Sequence, residues 1–189
     1  MITNGNFNSD PNRSGTWRVD YDNTKQIPRF TWDDKTYYGT SGNSLRIECV
    51  ENSGSVFGLI YNQIGITPGN TYSFSAFGKG ENITQSRGLI IFIGQYDINN
   101  KLIDGTDNFF IQDGTFDWQI ANVEIVADQN ARSVKIELIL DGSGYAWFDD
   151  ISLINRGVIP GSVEITSFAI IPMLVQEQRE VQHMLMQRQ

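Results

Sequence analysis

The chain has almost none of the residues on which most small-domain chemistry is built. Its 189 residues include one cysteine, Cys49, and one histidine, His183. One cysteine rules out an intramolecular disulfide and a multi-cysteine zinc site. In Leu45-Arg46-Ile47-Glu48-Cys49 it shares strand parity with Leu45 and Ile47, so it reads as a small core hydrophobe rather than a nucleophile. A Ser-His-Asp triad would have to use His183, which sits in a polar C-terminal stretch far from every β-rich motif. Positive charge is also short: 14 Lys and Arg stand against 22 Asp and Glu, for a net charge of -8. That balance excludes nucleic acid as a partner, because phosphates need basic patches, and it excludes an anionic membrane surface. No apolar run is long enough for a bilayer-spanning helix. Nor does a basic region with an apolar stretch open the chain, so no signal peptide is expected. The expected setting is a virion or an extracellular assembly, with this chain as a component of something larger.

What is present is β-structure. From Ser44 onward, apolar and polar residues alternate in short runs: 44–50, 56–64, 70–79, 88–97, 108–112, 117–126, 132–140 and 145–154. Gly, Asn, Asp and Pro separate most of them, as at Asn52-Ser53-Gly54, Thr67-Pro68-Gly69, Asn99-Asn100, Asp113-Gly114 and Asp141-Gly142. Their number and spacing suit a two-sheet sandwich or jelly roll, all-β up to about residue 155. Tyr72, Phe74 and Ala76 share one face, and so do Val134, Ile136, Leu138 and Leu140, with Lys135, Glu137 and Ile139 opposite. Leu89-Ile90-Ile91-Phe92-Ile93 is apolar on both parities, so its outer side is either covered or a binding surface. Before Ser44 the reading is irregular: a short strand near Trp17–Tyr21, a loop from Lys25 to Asp34 broken at Pro28, and turns at 39–43. No helical periodicity precedes residue 160.

The organising stretch is Gly142-Ser143-Gly144-Tyr145-Ala146-Trp147-Phe148-Asp149-Asp150-Ile151-Ser152-Leu153, read as a tight glycine turn entering a strand. Two adjacent carboxylates in an apolar strand are costly unless one is compensated, and a cation is the simplest compensation. Asn4-Gly5-Asn6-Phe7-Asn8, rich in oxygen ligands, is the natural companion from the other end of the chain. With Ser44-Leu45-Arg46-Ile47 and Ile66-Thr67-Pro68-Gly69-Asn70-Thr71-Tyr72-Ser73-Phe74-Ser75, these motifs follow in order and spacing the carbohydrate-binding modules of the family 4/9/22 type, which residues 1–155 resemble. The resemblance implies a galactose-binding-like jelly-roll β-sandwich with a structural Ca2+ ion and a glycan partner. The family usually has a glutamate where this chain has Asn8.

Calcium takes about six to eight oxygen ligands. The residues that would hold it are Asn6, Asn8, Asp149 and Asp150, clipping the N-terminal segment to the last strand. Sugar sites combine flat aromatics with amide and carboxylate groups. The pool for that role is Trp17, Trp32, Tyr61, Gln63, Phe77, Arg87 and Gln95; Trp118 and Trp147 read as core. Glycoside hydrolysis needs two carboxyls facing each other about 5 to 9.5 Å apart. Asp33, Asp34, Asp104, Asp107, Asp113, Asp117, Glu124, Asp149 and Asp150 offer no spacing that singles out a pair, so no catalytic residues and no enzyme are expected.

After Asn155 the composition shifts. Residues 156–171 read as a linker or extended arm. Residues 172–189 read as an α-helix with a thin apolar stripe, Leu174, Val181, Met184 and Leu185, too narrow for a buried helix and too short to be stable alone. It calls for a docking partner or other copies of the chain. Two readings follow: a non-catalytic module recognising a glycan within a larger assembly, and a phage virion protein of tail, baseplate or fibre using the sandwich as scaffold or host-glycan adhesin.

Overall fold

A computed structural model of the chain describes residues 2–20, 28–40, 42–49, 57–108 and 113–158. In chain order these form one helical turn, α1 (Pro11–Ser14), and the strands β1 (Arg18–Asp20), β2 (Arg29–Asp33), β3 (Ser44–Cys49), β4 (Phe57–Gly65), β5 (Thr71–Tyr96), β6 (Leu102–Asn108), β7 (Gly114–Val126) and β8 (Ser133–Gly157). Every pairing is antiparallel.

β5 and β8 organise the sandwich. They run 26 and 25 residues, far beyond an ordinary strand, and pair with each other along both lengths. Their neighbours change halfway. The first part of β5 lies beside β7 and its second part beside β6, while the first part of β8 lies beside β4 and its second part beside β3. Two five-stranded layers result. The first reads β7, β5, β8, β3, β2; the second reads β6, β5, β8, β4, β1. Their inner faces interdigitate: Leu45, Ile47, Phe74, Ala76 and Phe148 from the first and Leu89, Ile91, Val134, Ile136, Leu138 and Leu140 from the second form one buried cluster. Each such large aliphatic or aromatic side chain stabilises the fold by about 1.5–3 kcal/mol. Cys49 belongs to this cluster, and burial pushes its thiol up to about 11, so it is inert as expected.

The crossover is where the sequence reading needs correction. Asp141-Gly142 was expected to end a strand, and Gly142-Ser143-Gly144 to be a tight turn. Both lie inside β8, at the corner where it passes from one layer to the other. Gly142 and Gly144 have φ of 144° and 121°, which side-chain-bearing residues rarely adopt. A Cβ on Gly144 would stand 2.5 Å from the Asn82 carbonyl oxygen of the matching corner in β5, where pairing slips between Glu81 and Gly88.

Three smaller differences follow the same logic. Residues 29–33, expected as loop, form an edge strand, because their backbone groups pair with β3 directly after Pro28. β6, at 102–108, was not expected, because its Asp- and Gly-rich sequence carries no period-2 signal; of the strand expected at 108–112, all but Asn108 lies outside the described residues. α1 is one helical turn before residue 160, held by Arg13 N–H on the Asp10 carbonyl at 3.0 Å. Met1–Ile159 form one compact unit. Of the arm expected at 156–171, Arg156 and Gly157 instead end β8, paired to the start of β5, while residues 159–171, the helix expected at 172–189 and His183 lie outside the described residues.

The N-terminal segment lies along the last strand, as its motif requires. Ile151 N–H donates to the Gly5 carbonyl at 2.9 Å, and a Cβ on Gly5 would run into the Ile151 carbonyl. Phe7 is fully buried, and the Trp32 indole donates to its carbonyl at 2.6 Å.

Candidate functional site

The alternation that buries Val134, Ile136, Leu138 and Leu140 turns Lys135, Glu137 and Ile139 to the outer face of the second layer. Register then decides what stands beside them, since residues directly opposite in antiparallel strands project to the same side. One row crosses the sheet as Arg18, Tyr61, Glu137, Phe92 and Asp107. The next reads Gln63, Lys135, Gly94 and Gly105. A third carries Ile139 and Ile90, both buried and packed with Tyr61 and Phe92 in a small apolar cluster separate from the core. The outward side of the doubly apolar Leu89–Ile93 run is therefore this cluster.

The glycines shape the face. A Cβ on Gly105 would meet the Phe92 ring at 2.6 Å, and one on Gly94 would meet it at 2.8 Å and Tyr96 at 2.9 Å. Both rings can lie flat along the sheet only because those positions have no side chain. The Lys135 ammonium rests over Tyr96 at 4.3 Å from the ring centre and 5.8 Å from that of Tyr61. Burial, with the Glu137 charge, raises the Tyr96 hydroxyl above its ordinary value, so it stays a neutral donor. Gln63 Nε2 donates to Ser133 Oγ at 3.1 Å, which fixes the amide at the rim. Beyond Tyr61 and Gln63 the face opens into a recess of about 370 Å3, lined also by Thr3, Thr16 and Arg18.

Of the seven residues proposed for sugar contact, Tyr61 and Gln63 belong to this face. Arg87 stands at the end of the same sheet, its Nε 3.1 Å from Asp141 Oδ2. The other four are elsewhere. Trp17 is 4% exposed, its ring against Phe7 at 5.5 Å and its indole on the Asn4 carbonyl. Gln95 is buried and braces the β7–β8 turn, accepting from Asp128 N–H at 2.8 Å and donating to the Val126 carbonyl. Trp32 is 39% exposed but pinned to the N-terminal segment. Phe77 is on the outer side of the first layer. Phe92, Tyr96, Lys135 and Glu137 were not singled out, although their parity opposite the core was legible.

Of the four residues expected around a cation, two share a recess. Asn6 and Asp150 line one recess with Asn4, Ser75, Phe77 and Ser152. Asp149, 3% exposed, is compensated by amides: Tyr38 N–H donates to Oδ2 at 2.9 Å and Asp150 N–H to Oδ1 at 2.7 Å. Burial outweighs these donors and pushes its carboxyl up to about 6. Asn8 is exposed and does not line that recess. Among the described residues no three His, Cys, Asp or Glu side chains cluster as metal ligands.

The outer side of the first layer also carries aromatics, but they are spent on one another. Tyr38 stacks on Phe77 at 3.5 Å, and Trp118, half-buried rather than in the core, meets the edge of Tyr38. Trp147 is buried, with its indole on Asp33 Oδ2 at 2.9 Å.

By sequence, the chain matches no family model and no curated protein. By structure, it is similar to a family 4 carbohydrate-binding module at a TM-score of 0.56 and 20% identity, covering 82% of this chain and 100% of that one. It is similar to a family 61 module solved with β-1,4-galactotriose at a TM-score of 0.52 and 14% identity, covering 82% and 97%. It is also similar to the enzymatically active domain of bacteriophage CBA120 tailspike protein 4, at a TM-score of 0.64 and 10% identity; the match covers 82% of this chain but spans 21% of that one. Two crossing five-stranded layers closed by the N-terminal segment, with these neighbours, make the fold that of a carbohydrate-binding-module jelly roll.

Proposed function

We propose that the chain is a non-catalytic module that holds a glycan on the outer face of its second layer. The observation that carries this reading is the row of Tyr61, Glu137 and Phe92 beside Lys135 and Tyr96. Flat rings laid along the sheet are flanked by an amide, a carboxylate and an ammonium, which is the composition a pyranose needs for its apolar face and its hydroxyl edge. In affinity gels over a broad polysaccharide set, the wild type is expected to be retarded by at least one glycan. Tyr61→Ala and Phe92→Ala should each remove most of that retardation, a loss of tenfold or more in affinity. Migration of the wild type unaffected by every glycan would refute the reading.

The similarity to a tailspike domain favours a second reading, in which the same module works inside a phage virion. Residues 172–189 are then the segment that joins copies or another component. Light scattering of the full chain should give an oligomer, and deletion of 172–189 a monomer. A monomeric full chain at high concentration would count against assembly through this segment.

Calcium rests on narrower ground than the motif suggested. Asp149 is already compensated by amides, so the groups left for a cation are the Asp150 carboxylate, Asn6 and nearby backbone oxygens. A bound ion there would act as a clip between the N-terminal segment and β8.

A further inference from the structure

We propose that the glycan held on this face carries an isolated carboxylate, as a uronic or similar acidic sugar does, and that Lys135 selects it. The inference rests on the reading of this face as the glycan site. Lys135 is half-buried at the middle of the second row, and its ammonium lies against two tyrosine rings. Among the described residues it makes no ion pair, in a chain whose net charge is -8. Its neighbours across the sheet, Gln63 and Gly94, carry no charge. Glu137 is on the same face, two positions along the strand, a separation of about 6–7 Å between backbone positions.

A ligand laid against Tyr61 must strip water from the ammonium beside it, which rests over the buried Tyr96 ring. A hydroxyl replaces that water with a neutral partner, whereas a carboxylate also supplies the missing opposite charge. The tyrosine rings hold the ammonium in place before binding, so less side-chain freedom is lost when the ligand arrives. Glu137 sets the upper limit. A second ligand carboxylate one sugar away would face it, and the remaining acidity of the chain repels a polyanion. The preferred ligand is therefore a largely neutral chain with single acidic residues, rather than a polyuronate.

The test uses the full chain and immobilised oligosaccharides in matched pairs, identical except that one galactose or glucose is replaced by galacturonic or glucuronic acid. The wild type should bind the acidic member of at least one pair about tenfold more tightly, and the preference should shrink at about 0.5 M salt, where screening is short-ranged. Lys135→Gln should bind the two members of that pair alike, within about twofold of each other, and a thermal unfolding transition like that of the wild type shows that the variant is folded. Lys135→Arg should keep the preference. Equal binding within every bound pair, a preference for neutral members, or an acid preference that survives Lys135→Gln overturns the proposal and leaves the glycan reading standing. Failure of the wild type to bind any member overturns the glycan reading itself.

Discussion

Asp149 separates what a residue's type implies from what its neighbours do to it. Two adjacent aspartates in an apolar strand signalled a charge in need of compensation, and a cation was the expected answer. The fold answers with two backbone N–H groups, one from the Tyr38 loop and one from Asp150. Burial still raises the carboxyl from its ordinary 3.8 to about 6. Between roughly pH 4 and 6 the folded protein therefore keeps a proton that the unfolded chain has released. Stability from this group is full below pH 4 and falls as the pH rises to 6, by an amount on the order of 2 kcal/mol. Asp33 has the opposite sign. Burial raises it, but the Trp147 indole, the Lys35 and Thr36 amides and the Arg46 charge outweigh that, so its contribution is lost as the pH falls below 3.8. Thermal unfolding followed from pH 4 to 6 should show a steeper decline for the wild type than for Asp149→Asn. Equal slopes would mean that Asp149 titrates near its ordinary value.

Among the elements, β5 and β8 show why strand boundaries were misread at the corner. Glycines that normally end a strand here let it continue, because the two long strands bend together and stay paired. Gly144 is the tightest point, with a left-handed φ of 121° and the Asn82 carbonyl where a side chain would go. Gly144→Ala should destabilise the protein by on the order of 2–4 kcal/mol in urea unfolding, since the obstacle is backbone that cannot rotate away. A cost below about 0.5 kcal/mol would show that the corner relaxes freely. β6 and β2 were missed for a different reason. An edge strand needs partners more than it needs a hydrophobic period, and partners are invisible in a linear sequence.

At the scale of the whole molecule, the N-terminal segment acts as the last piece of the sandwich. Phe7 is fully buried, and Trp17, Trp32 and Ile151 each donate a hydrogen bond to the segment's carbonyls. A cation at Asp150 and Asn6 would tighten that closure. If it binds, calcium at about 100 times its dissociation constant should add about 2.7 kcal/mol, raising Tm by roughly 5–10 °C for a chain of this size. The shift should reverse with a chelator and vanish in Asp150→Ala. A Tm indifferent to calcium would remove the ion from the account.

Composition and alternation alone determined the all-β class, the inward sets Tyr72–Phe74–Ala76 and Val134–Ile136–Leu138–Leu140, the inert core thiol and the outward parity of Lys135 and Glu137. These are local properties: a strand's side chains alternate whatever stands beside it. Only the tertiary structure decided that Trp17 and Gln95 are buried, that Asp149 is satisfied by amides, and that Tyr61, Phe92, Tyr96 and Lys135 form one surface. Those outcomes depend on register between strands tens of residues apart. A shift of one residue there would exchange every inward side chain for an outward one without changing the sequence.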